Sequence, residues 1–286
     1  MNVRQLRISR RSVTIAAALV GVVSLAIGAN AALNKRSPDT ARAVATEQSG
    51  EVPNQASRLA LVIGNGHYPD ANAPLAQPIN DARALTAQLR RTGFDVDVVE
   101  DASRDDMQRA IARLKSKIRP DTVVLLFFGG YGVQVGRESY MIPVDAAIWK
   151  EADVRRQGVS VESVLEAMKE QGARAKLVVI DASRRNPYER RFRAYSHGLA
   201  PIDAPDNALI LTSATPGKVA DDSIGANSVL VSELLTNLNA QAAGIETAFN
   251  KTRIAISRAS DGEQVPSVSS SLLEDVSFAT AEKAGS

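Results

Sequence analysis

Apolar, largely β-branched runs punctuate the chain, and each stops at small or polar residues. Arg58–Ile63 ends at Gly64-Asn65-Gly66, Val123–Phe128 at Gly129-Gly130, and Lys176–Ile180 at Asp181-Ala182-Ser183. A continuous apolar run bounded by turn residues marks a strand buried on both faces. Phe94–Val99 alternates instead, as a half-exposed strand does, and Asn207–Ala214 supplies a further strand. Helical periods fill the gaps. One helix runs to Arg91, capped by Asn80 or Asp81, with Ala84, Leu85, Ala87 and Leu89 on its apolar face. Ser103 and Asp106 have capping-box spacing for a second helix, which stops before Pro120. Gly136-Arg137 sits between short extended pieces and predicts a hairpin over 133–143. Later helices are expected over 161–171, 228–238 and 245–257, and a closing edge segment after them. Regular alternation of strand and helix predicts an α/β fold with a mainly parallel sheet and helices on both faces.

The first 57 residues follow different rules. Four arginines precede an apolar stretch over 13–29, and an Ala-x-Ala site stands at 29–31, so residues 1–33 read as an export signal or a membrane anchor. The charge asymmetry across that stretch sends the remainder out of the cytoplasm, into the periplasm or onto the outer side of the inner membrane. Residues 34–57, rich in Ala, Ser, Thr, Pro and Gln, read as a disordered linker. The globular part is expected over 58–280 as one domain, with a short tail at 281–286. Six basic residues and no acid lie before residue 39, so a formal net charge of +2 becomes −4 for the remainder, and no nucleic-acid partner is expected.

The chain has no cysteine, which excludes disulfides, thiolate metal sites and a cysteine nucleophile. No metal and no cofactor are expected; Gly64-Asn65-Gly66 lacks the spacing and the lysine of a phosphate loop. In open α/β sheets ligands bind past the carboxyl ends of the strands, which places Tyr131, Asp181 and Ser183 in the crevice. His67, in the first crevice loop, is expected to be solvated, and Trp149 partly buried under its own loop. Five arginines from Arg184 to Arg193 form either a solvated surface or a patch for an acidic partner.

LALVIGNGHY, PINDARALTAQLRRTGFDV, FFGGYGVQVGRESYMIPVDA, VVIDASRRNP, GLAPIDAP and QVPSVSSSL together resemble a bacterial caspase-like domain of the metacaspase type. The resemblance implies a three-layer sandwich and, in active members, a His/Cys dyad about 50 residues apart. Tyr131 and Ser183 occupy those positions here, 52 residues apart, so both dyad residues are replaced. A phenol is protonated at neutral pH and serine lacks the acidity of a thiol, so the site is expected to keep its shape and lose its chemistry, its two hydroxyls sharing a hydrogen bond. The resemblance also makes Asp181 part of a pocket for a basic side chain, where a ligand cation or local backbone amides pair with it. Gly217 and Lys218 stand where the family has a further pocket acid. The function expected is that of an inactive pseudoenzyme binding a protein or peptide. The alternatives are a hydrolase using Ser183, with Tyr131 or His197 as base, and a purely structural envelope component.

Overall fold

The computed structural model describes residues 57–69, 74–192, 198–220, 225–239 and 244–278. The expectations for residues 1–33, 34–56 and 281–286, and for His197, lie outside the described residues. β1 (Arg58–Gly64), β2 (Asp95–Glu100), β3 (Val123–Gly129), β7 (Ala175–Asp181), β8 (Ala208–Thr212) and β9 (Ser267–Ser270) form one sheet in the order β2-β1-β3-β7-β8-β9. Every pairing is parallel except that of β9, which closes the edge antiparallel to β8. The hairpin forms as expected from β4 (Gly132–Val135) and β5 (Glu138–Met141), and with β6 (Val159–Ser160) it makes a separate small sheet.

Alternation along the buried strands divides the core in two. Val124, Leu126 and Phe128 of β3 face Met107, Ala110 and Leu114 of α2 (Arg104–Lys117) and Val164, Leu165 and Met168 of α4 (Val161–Glu170). Val123, Leu125 and Phe127 face the other way, toward α1 (Gln77–Arg91), α5 (Val229–Asn239) and α6 (Ile245–Ala259). The capping box of α2 is present, Ser103 Oγ accepting from the Asp106 amide while the Asp106 carboxylate accepts from the Ser103 amide.

Two local expectations are corrected. α1 begins at Gln77, not at Asn80 or Asp81, because Pro78 in its first turn has a fixed φ and needs no amide partner. Asp81 is thereby turned into the core and caps nothing. The loop after β5 also contains a short helix, α3 (Glu151–Gln157), whose Asp153 carboxylate accepts from the amides of Trp149 and Lys150. That clamp holds Trp149 outward at 69 % exposure instead of under its loop, with the Arg191 guanidinium 4.7 Å from the ring centre. Among the described residues no helix is long and apolar enough to cross a membrane.

Candidate functional site

The crevice is built by the ends of three neighbouring strands. Gly129 of β3 is level with both Gly64 of β1 and Asp181 of β7, so the chain leaves the sheet at the same height on each. The backbones stay stitched beyond that point. Gly130 N donates to Asp181 O, Gly132 N to Ala182 O and Asn65 N to Gly129 O. The buried Asn65 side chain accepts from Ala102 N at 2.8 Å and donates to Ile142 O at 3.2 Å, fixing the first crevice loop to two others. Arg184, although in an arginine-rich stretch expected to be solvated, is buried and donates from Nη1 to Gly130 O and Asp181 O. Arg185, Arg190 and Arg191 are exposed, and Arg193 lies outside the described residues.

Tyr131 and Ser183 stand on adjacent strand ends, yet their hydroxyls are not joined. Tyr131 packs edge-on against Tyr68, with ring centres 4.8 Å apart, and its amide donates to the Tyr68 hydroxyl. Tyr68 is itself buried and donates to Ile142 O, and burial pushes its phenol above the usual range. A Cβ at Gly130 would lie 2.5 Å from that hydroxyl, so only glycine lets the loop approach so closely. Ser183 is fully buried. Its amide donates to Ser213 Oγ, its carbonyl accepts from Ala220 N at 2.6 Å, and its Oγ has no hydrogen-bond partner. The expected hydroxyl pair is absent because Tyr131 is drawn to Tyr68 while the segment around Ala220 covers Ser183.

His67 serves a different part of the rim. It is exposed, as expected, but not merely solvated: its Nδ1 lies 2.6 Å from Asp101 Oδ2, whose other oxygen accepts from the Gly66 and His67 amides. Burial opposes ionisation of Asp101, yet those donors outweigh it and hold the carboxyl below the ordinary range.

The acids of the crevice are the larger departure from expectation. Asp181 continues the inward series Ala175, Leu177, Val179 of β7 toward the face covered by α1, α5 and α6. It is 3 % exposed, its Oδ1 lies 3.8 Å from Arg184 Nη1, and its Oδ2 has no hydrogen-bond partner. Loop amides therefore do not satisfy it. Asp81 comes to the same face from α1, fully buried, with Oδ1 accepting from Asn227 Nδ2 at 2.8 Å and Ser228 N at 2.9 Å. Its Oδ2 is also without a partner. Burial, then the neighbouring charge of Asp181, pushes the Asp81 carboxyl up to about 6. Reading Asp81 as a cap missed it, although a signal was present: Asp81 shares the helical stripe of Ala82, Leu85 and Leu89. Lys218 is exposed, and Asp221 and Asp222 lie outside the described residues. Among the described residues no three His, Asp or Glu side chains cluster to hold a metal ion.

A family model for the caspase domain matches residues 57–277, nearly everything the structure describes. The chain belongs to the caspase-domain family. Its similarity to curated proteins is more limited. It is 28 % identical over 144 residues to human mucosa-associated lymphoid tissue lymphoma translocation protein 1 and, equally, to the mouse homolog. The aligned segment covers 50 % of this chain and 17 % of either relative. As in the expected sandwich, this caspase domain carries a mainly parallel sheet between two helical layers.

Proposed function

We propose that this is an exported caspase-domain protein of the metacaspase type that binds a basic side chain of a protein or peptide without cleaving it. One observation carries the proposal: at the same crevice, among the described residues, the position of the nucleophile has no base and a carboxylate pair has no full counter-charge. Ser183 Oγ is buried and unbonded, and serine needs an adjacent base to act as a nucleophile. His67, the one described histidine, follows β1, which β3 separates from the β7 end that carries Ser183, and is engaged with Asp101. Asp81 and Asp181 each keep a buried oxygen without a donor, and a buried carboxylate in that state favours any ligand that brings a guanidinium or ammonium. The exposed Arg185, Arg190 and Arg191 support a separate, acidic contact on the same partner.

Purified protein screened against peptides with Arg, Lys or Asp at one fixed position tests this when binding and cleavage are read separately. Arg and Lys peptides are expected to bind and to remain intact, with Asp181→Asn losing binding and Ser183→Ala changing neither readout. Turnover that disappears in Ser183→Ala would establish the hydrolase instead, and binding indifferent to the fixed residue would remove the basic pocket.

A further inference from the structure

We propose that in mild acid this crevice exchanges a proton for its ligand: entry of a guanidinium or ammonium at Asp81 and Asp181 expels a proton that Asp81 Oδ2 carries in the empty site. The step rests on the binding reading above and adds to it how the site is regulated. The two carboxylates reach the same face of the sheet, Asp181 from the end of β7 and Asp81 from α1, and neither exposes more than a few per cent of its surface. Two buried carboxylates on one face disfavour a double charge, so one of them takes a proton as the pH falls.

The geometry decides which one. Asp181 has the Arg184 guanidinium beside it, 3.8 Å from Oδ1. Asp81 has no cation. What faces it from the segment before α5 is neutral, the Asn227 side-chain amide and the Ser228 backbone amide, and from β7 it meets only the negative charge of Asp181. The nearest charged residue of its own helix, Arg83, is exposed and engaged with Glu100. Two donors already occupy Asp81 Oδ1, which leaves the unpartnered Oδ2 as the atom to protonate. With that carboxyl pushed up to about 6, the empty site is half protonated in mild acid. A ligand cation favours the ionised form, so the bound site releases what the empty site held. The balance is one proton to solvent for one cation bound.

Linkage fixes the sign. Above about pH 7 binding needs no proton loss and affinity is constant; from pH 6 down to 4 it falls by roughly fivefold to tenfold per unit. Titration of the whole protein with N-acetyl-arginine amide across this range, in parallel with its uncharged citrulline counterpart, reads the slope directly. Calorimetry near pH 5.5 in two buffers of different ionisation enthalpy should show most of one proton released per arginine amide bound. Asp81→Asn, which keeps the Oδ1 acceptor, should flatten the slope and abolish the release while still binding the probe weakly through Asp181. Binding by the wild type that is independent of pH, or a slope unchanged in Asp81→Asn, overturns the exchange and leaves the basic pocket standing. No binding at any pH overturns both.

Discussion

The most unusual residue in the molecule is a carboxylate whose fold would be better off without its charge. Asp81 is fully buried, and its raised pKa means that the folded state holds the proton more tightly than the unfolded chain does. Stability is therefore highest where Asp81 is protonated, falls as pH rises from about 4 to 6, and carries the whole penalty above that. A shift from 3.8 to about 6 corresponds to roughly 3 kcal/mol. Asp81→Asn retains the acceptor for Asn227 and Ser228 and removes the charge. Without ligand it should stabilise the protein by up to about 3 kcal/mol near pH 7 and by almost nothing near pH 4, as read from urea denaturation at both values. An equal gain at the two pH values would place the penalty in packing rather than in charge.

At the scale of elements, α1 is what brings Asp81 to the crevice, and its fit depends on β1 ending in glycine. A Cβ at Gly64 would lie 2.4 Å from Pro78 O and 2.8 Å from the Ala82 Cβ, both on the first turns of α1. Gly64→Ala should push that helix off the strand end and cost about 1–3 kcal/mol, measurable as a lower melting temperature, with a matching loss of peptide binding because Asp81 moves with the helix. Elements of this kind were legible in the sequence wherever their cause was local. The unbroken apolar runs of β3 and β7, the capping box of α2 and the glycine turn of the hairpin all read directly, and so did the strand ends that carry Tyr131, Asp181 and Ser183. What did not read depended on partners far along the chain. Asp81 answers to Asn227, 146 residues away, and a buried carboxylate on the second turn of a helix has the same local sequence as a cap. Trp149 stays exposed because Asp153 clamps its backbone, and Arg184 is buried because carbonyls at the ends of β3 and β7 accept from it.

For the molecule as a whole, the proposed export rests on the arginines and apolar stretch before residue 34, not on the caspase domain. A reporter active only outside the cytoplasm, fused after Ser57, should be active, and replacing Arg4, Arg7, Arg10 and Arg11 with glutamate should silence it. Activity of a cytoplasm-only reporter at the same junction would contradict export. The domain's topology also sets an order of events during synthesis. β8 finds β7 as soon as it emerges, but its other neighbour, β9, begins only at Ser267, after α5 and α6. At ordinary elongation rates of about 5–20 residues per second, the gap between Thr212 and Ser267 leaves that flank open for some 3–10 s. During that interval Ala208–Thr212, five residues destined for burial, is an unpaired apolar edge available to any passing strand. A nascent chain guarded by a holdase until its last strand is made never presents that edge, whereas one that folds as it is translated must outrun mispairing each time.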